Sequence, residues 1–273
     1  MDEARVDGST SGGQPVPEYV PGHGLLAGKT VVVTAAAGAG IGSAVARRCL
    51  EESARAVVLG DIHGRRLSEA REELSRRYGA DRVAAVVCDV TDEAQVGHLL
   101  DAAEPFGGTD VLINNAGLGG TRSVLEMTDE EWSRVLDTTL TGTFRCVRAA
   151  GNRMVRAGRR GVIVNNASVV GWRAQQGQAH YAAAKAGVMA LTRCAAMDLA
   201  EHGVRVNAVS PSLAMHPFLA KVTTEDLLDE LKAREAFGRA AQPWEVANVM
   251  VFLASDYSSY MTGEVVSVSG QHP

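Results

Sequence analysis

TVVVTAAAGAGIGSAVARRCLEE, residues 30–52, is the stretch that decides the fold. Thr30–Thr34 is a short apolar, β-branched run of the kind that forms a strand buried on both faces. Ile41–Glu52 has the periodicity of a helix. Between them lies Gly38-Ala39-Gly40-Ile41-Gly42. Glycines there let the backbone turn tightly and approach a phosphate, and the helix start offers free N–H groups at the positive end of its dipole. A Gly-rich turn alone is weak evidence. At the first strand-to-helix turn of an alternating chain it points to a dinucleotide.

The alternation continues. Strands are expected at Ala56–Gly60, Arg82–Val87, Val111–Asn114, Gly161–Asn165, Val204–Val209 and Glu264–Val268. Helices are expected at Arg65–Tyr78, Asp92–Ala102, Thr128–Ala157, Tyr181–His202 and Pro243–Ala254. Such a pattern gives an α/β fold, a doubly wound parallel sheet with helices on both faces. Residues 25–273 read as one domain. Residues 1–24, rich in Gly, Pro and Ser, read as a mobile or loosely draped tail. The irregular segment near 212–237, mixing apolar and charged residues, reads as a lid.

Composition narrows the class. The 273-residue chain is long enough to bury a large core. No apolar run approaches the roughly 20 residues needed to span a bilayer, and no signal pattern opens the chain. A net charge of −5 argues against nucleic acid as the main partner. Cys49, Cys88, Cys146 and Cys194 are widely spaced and read as reduced packing cysteines of a cytoplasmic protein, with no metal site. Tyr181–His202 carries small or apolar residues on nearly every side, so a partner subunit is expected against it.

Tyr181 and Lys185 stand at i and i+4 on one helix face, with Ser168 thirteen residues upstream. A nearby ammonium stabilises a phenolate, and a hydroxyl from another segment holds the reacting oxygen. Together they make a proton-transfer device for an alcohol or carbonyl. An exposed Tyr–Lys pair without chemistry would look the same in isolation.

Asp61 ends the second strand, nineteen residues after Gly42. A carboxylate there accepts from both ribose hydroxyls and repels a 2′-phosphate, favouring NAD; Arg65 and Arg66 leave room for NADP. A strand-end turn aspartate is the alternative. Asp89 and Val90 fit an adenine contact, although a helix-capping aspartate would read identically. Asn114-Asn115-Ala116-Gly117 lets a ribose and nicotinamide lie close to backbone, or is an ordinary Asn–Gly turn.

In this order the Gly-rich turn, Asp61, Asp89-Val90, the NNAG run, Ser168, Tyr181-x-x-x-Lys185 and Ser210-Pro211 resemble the short-chain dehydrogenase/reductase family over about residues 25–270. The resemblance implies a Rossmann-type domain, a homotetramer or homodimer, and a nicotinamide cofactor held by Gly38, Gly40, Ile41, Gly42, Asp61, Asp89, Val90, Asn115, Ala116, Gly117, Tyr181, Lys185 and Pro211. It also implies Tyr181 as general acid/base, Lys185 holding ribose hydroxyls and lowering the tyrosine pKa, and Ser168 positioning the substrate oxygen. Several positions depart from the family. Ala35-Ala36 replaces Thr-Gly, and Ala36 then needs a negative φ. Thr139 replaces the helix asparagine, leaving its backbone carbonyl for a proton relay. Pro211-Ser212 replaces Pro-Gly, His216 takes the place of a threonine, and Ser269-Gly270-Gln271 replaces Asp-Gly-Gly.

A substrate pocket is expected from Leu118–Arg122, Val169–His180 and 212–237. Trp172 would form an apolar wall, Arg173 would meet a carboxylate or phosphate, and Gln175 and His180 would stand nearby; surface packing is the alternative for each. The strings NNASVVGWRAQ (165–175), HYAAAKAGVMALTRC (180–194), FGRAAQPWEVA (237–247) and SVSGQHP (267–273) resemble a bacterial subgroup acting late in steroid and cholesterol breakdown. That likeness implies oxidation of a ring hydroxyl on a methyl-oxo-hydroindene carboxyl-CoA. A 3-oxoacyl-thioester reductase and a non-catalytic dinucleotide sensor are the rivals; the sensor fits poorly with an intact Tyr181–Lys185 pair.

Overall fold

Thr30–Thr34 (β1) is buried at every residue, as its apolar run requires. In the computed structural model, which describes residues 13–215 and 225–270, six further strands join it. They are β2 (Ala56–Asp61), β3 (Val83–Val87), β4 (Val111–Asn114), β5 (Val162–Asn166), β6 (Arg205–Pro211) and β7 (Val265–Val268). All pairings are parallel, in the order β3-β2-β1-β4-β5-β6-β7. The order reverses between β1 and β4, so their carboxyl ends splay helices to opposite faces and leave a crevice there.

The helices are α1 (Ile41–Glu51), α2 (Gly64–Tyr78), α3 (Glu93–Asp101), α4 (Asp129–Leu136), α5 (Gly142–Arg156), α6 (Ala179–Ala200), α7 (Glu225–Ala233) and α8 (Pro243–Ala254). Successive strand residues feed opposite layers. Val31, Val33, Val57 and Leu59 pack with Val45 and Cys49 of α1 and Val246, Met250 and Leu253 of α8. Val32, Val58, Leu112 and Ile163 pack with Leu99 of α3 and Cys146, Ala150 and Met154 of α5. Each fully buried valine or leucine contributes about 1.5–3 kcal/mol by leaving water.

The helix expected over Thr128–Ala157 is interrupted by a π-helical turn, Asp137–Thr141. Thr139 explains it. Its buried Oγ1 accepts from the Leu118 amide at 2.9 Å and donates to the Leu118 carbonyl at 3.0 Å. The helix bulges to keep that clamp on the β4 exit. Its carbonyl accepts the Thr143 hydroxyl at 2.7 Å, so the group expected to serve a relay already has a partner.

Residues 13–24, read from sequence as a tail, lie along α1 and α8. Tyr19 stands edge-on to Trp244 at 5.3 Å and donates to Glu51. Arg48 donates to the carbonyls of Val20 and Pro21, and forms a buried ion pair with Glu52 at 2.6 Å. Glu52 in turn accepts from the amides of His23 and Leu25. Cys49, Cys88 and Cys146 are buried, whereas Cys194 is exposed on α6, contrary to its reading as a packing residue. Among the described residues no helix is long and apolar enough to cross a membrane, and no group of His, Cys, Asp or Glu is placed to hold a metal.

Candidate active site

At the crevice the backbone itself forms a cradle. Gly38 has φ +89° and Gly40 caps α1 with no side-chain hydrogen bond, so the first-turn amides of the helix face outward. A Cβ at Gly38 or Gly40 would meet nothing within 4 Å, whereas one at Gly42 would sit 2.1 Å from the Ala35 carbonyl. The turn is therefore pressed against its own start and open in front. Ala36 lacks a positive φ, as expected; Ala35 carries it instead, at +50°, a conformation costing an L-residue about 1–2 kcal/mol.

A ladder of side chains holds Ala35 there. Asn166 donates to Asn115 at 2.9 Å, and Asn115 donates to the Ala35 carbonyl at 3.2 Å. Thr34 Oγ1 accepts from the amides of Asn115 and Ala116, both at 3.0 Å. Below, Asn114 donates to Asn165 at 2.9 Å, and Asn165 donates to Thr192 at 3.0 Å. These asparagines, adjacent in two parallel strands, tie β1, β4, β5 and α6 into one rigid unit.

Asp61, 7% exposed, closes the far end of the cradle. It accepts from the Ala37 amide at 3.1 Å and the His63 amide at 2.9 Å. Burial raises its pKa, while the Ala37 amide and the charge of Arg66 oppose that. Asp89 accepts from the Thr91 amide and hydroxyl, and Asp92 caps α3, so Asp89 is not the helix cap. Val90 packs on Gly142, at the start of α5.

Ser168 follows β5 and Tyr181 and Lys185 lie in the first turns of α6, so the three meet at the carboxyl edge. The Tyr181 hydroxyl is hydrogen-bonded with Ser168, and burial pushes its pKa up to about 12 against that bond. Lys185, 2% exposed, donates to the Asn166 carbonyl at 2.5 Å, and its ammonium lies 5.5 Å from the Tyr181 ring centre. Burial pulls Lys185 down to about 8. With the ammonium anchored on Asn166, desolvation governs the phenol, and the lowering expected for the Tyr181 pKa gives way to a rise.

A cavity of about 260 Å³ opens beside them. Ile41, Pro211, Ser168 and Tyr181 line it, with Leu213 and Leu231 as its apolar wall. Of the four expected pocket residues, Arg173 and Gln175 line it. Trp172 instead points outward, 41% exposed. His180 is buried with Nδ1 accepting from the Tyr181 amide and Nε2 facing Gly120, so it shapes the start of α6. Gly119 covers the Tyr181 ring rather than the cavity. Gln178, Leu213 and Glu235 were not singled out individually from sequence, although each lies in a segment expected at the pocket. His216 lies outside the described residues.

The outward-facing helix amides, the open front of the glycine turn and the buried, unpartnered oxygen of Asn166, a residue of the cavity lining, fit a dinucleotide with its phosphates on α1 and its reactive ring near Tyr181. Fold and site together define a nicotinamide-dependent oxidoreductase. Residues 35–270 match the family described as "Enoyl-(Acyl carrier protein) reductase". The chain is 64% identical over 258 residues, 94% of its length and 98% of the relative's, to a protein of Mycobacterium tuberculosis. That relative is named (5R,7aS)-5-hydroxy-7a-methyl-1-oxo-2,3,5,6,7,7a-hexahydro-1H-indene-carboxyl-CoA reductase. A crystal structure of a short chain dehydrogenase from Mycobacterium smegmatis superposes with a TM-score of 0.83 at 56% identity, covering 95% of this chain and 99% of that one. An NAD+-bound xylitol dehydrogenase gives 0.82 at 32% identity, covering 90% and 99%. The chain belongs to the short-chain dehydrogenase/reductase family.

Proposed function

We propose that the chain interconverts a ring hydroxyl and a ketone on a steroid-derived hydroindene carboxyl-CoA thioester, running as an oxidation with NAD as acceptor. The observation that carries the reading is the Ser168–Tyr181 pair on the edge of a cavity that is also lined by Ile41, the first residue of α1 after the glycine turn. The substrate rests on the 64% relative, whose name carries the reductive direction; the same groups serve both directions.

Ser168 holds the substrate oxygen. Tyr181 takes the hydroxyl proton during oxidation and returns it during reduction. Lys185 holds the ribose end of the cofactor and, once drawn from Asn166 toward it, favours the phenolate. A bound nicotinamide would supply the hydride acceptor or donor for the carbinol carbon. With Tyr181 exchanging the proton, alcohol and ketone would interconvert with NAD as the two-electron partner. The first-turn amides of α1 hold the pyrophosphate; Asp89, Val90, Asn115, Ala116 and Gly117 flank the adenosine and the inner ribose. Asp61 accepts from the adenosine ribose hydroxyls and disfavours a 2′-phosphate, which supports NAD over NADP.

Residues 212–215 with 225–237 cover the substrate. The exposed stripe Ala183, Ala186, Ala190, Cys194 and Met197 on α6 supports a homotetramer or homodimer, and the reduced cysteines support a cytoplasmic setting. The test is turnover of the hydroindanol-CoA and of a 3-oxoacyl thioester with each cofactor. The reading expects the ring alcohol to react with NAD; activity on the linear thioester alone would reject it.

A further inference from the structure

One departure from the family pattern, Ser212 after β6, and the retained glycine Gly270 after β7 meet on one buried side chain. Glu235, 5% exposed, follows α7. Its Oε2 accepts the Ser212 hydroxyl at 3.0 Å and the Gly270 amide at 3.2 Å, and its Oε1 accepts the Leu213 amide at 3.4 Å. The backbone repeats the tie, since Ala236 donates to the Gly270 carbonyl at 2.8 Å. A Cβ at Gly270 would stand 3.0 Å from Glu235 Oε2, so the absent side chain lets the carboxylate in.

Glu235 is also a partition. On one side is the 260 Å³ cavity; on the other is a second of about 140 Å³, lined by Phe237, Arg239, Glu245, Val268 and Ser269. Among the described residues, Ser212 and Glu235 alone are common to both linings. A buried carboxylate is costly without donors, and the Ser212 hydroxyl and the Leu213 and Gly270 amides are among those that converge on this one, so its position is closely fixed. The fold does not depend on it alone. Ala241 donates to the Leu213 carbonyl and Met215 to the Ala241 carbonyl, holding the same strand exit independently.

We infer that Glu235 is a positioning residue that closes the substrate cavity at its far end and sets how large a ring system the site holds against Tyr181. This rests on the substrate reading above for the location of the cavity's occupant. Pro211, on the cofactor side, sits on the strand itself. Substrate affinity therefore depends on Glu235, whereas cofactor affinity does not.

The experiment compares wild type, Glu235→Ala, Glu235→Gln and Ser212→Gly, measuring KM and kcat for the hydroindanol-CoA and the Kd for NAD. Glu235→Ala joins the two cavities and raises KM by about tenfold or more, with kcat within about threefold and NAD affinity within about twofold. Glu235→Gln, of the same size, restores most of the KM. Ser212→Gly removes one donor and raises KM by about threefold. An unchanged KM in Glu235→Ala, or an NAD Kd rising in step with KM, overturns the inference. Should Glu235→Ala fail to fold, Ser212→Gly decides alone, and an unchanged KM there overturns it. If wild type ignores the ring thioester, the substrate reading fails separately. The same variants are then measured on the thioester that wild type does turn over, against the same thresholds.

Discussion

The two sides of the crevice are built from different materials. On the β1–β2 side, backbone does the binding: glycines at 38, 40 and 42, uncapped helix amides, and one carboxylate, Asp61, pinned by the amides of Ala37 and His63. On the β5–β7 side, side chains do it: Ser168, Tyr181, Leu213, Leu231 and Glu235. Backbone binding is blind to sequence elsewhere and suits a ligand that never changes. Side-chain binding is adjustable and suits a substrate that differs between relatives.

The largest expected effect lies on the side-chain half. Tyr181→Phe removes the proton acceptor while leaving the ring in place, and steady-state turnover should fall by roughly 10²–10⁴-fold. NAD binding, measured by fluorescence titration, should stay nearly constant, because the cradle is on the other side. Equal losses in both would erase the division between the halves. On the backbone half, Asp61→Ala should lose about tenfold to hundredfold of the preference for NAD over NADP, the worth of one or two charge-assisted bonds. Titration of both cofactors checks it; a wild type that already prefers NADP contradicts the role given to Asp61.

A smaller effect sharpens the electrostatics between the halves. Lys185 is depressed from its ordinary 10.5 to about 8 by burial. Between those values the unfolded chain keeps a proton that the folded chain has released, so stability rises with pH through that window. Below about pH 8 both states are protonated and the penalty of the buried cation is fully present. Lys185→Met lacks this dependence. The melting temperature of wild type relative to Lys185→Met should therefore climb between about pH 8 and about pH 10.5, and a flat difference would mean the ammonium is not desolvated.

The same division explains what could be read from the chain. The cradle was legible because its signals are local: a buried valine run, a glycine turn, a helix, and an aspartate at the next strand end. That Ser168, Tyr181 and Lys185 meet was legible from spacing along one helix and one strand exit. Thr139 was visible as a departure, but its clamp on Leu118 spans 21 residues and carries no local signature. Trp172 and His180 were misplaced for the same reason. Loop composition says which residues are near a pocket, whereas rotamer and helix start decide which face it. Glu235 depends on Ser212 and Gly270, 23 and 35 residues away, and only packing brings those together. The strap over residues 13–24 was hidden by a Gly- and Pro-rich composition that says nothing of the Tyr19–Trp244 contact.

The central claim is direct transfer of hydrogen from a ring carbinol carbon to a nicotinamide held beside Tyr181. Place deuterium on that carbon of the hydroindanol-CoA, let wild type oxidise it with NAD, and weigh the reduced cofactor by mass spectrometry. The account predicts that the deuterium is found in the reduced nicotinamide; its appearance in solvent, with an unlabelled cofactor, would contradict it.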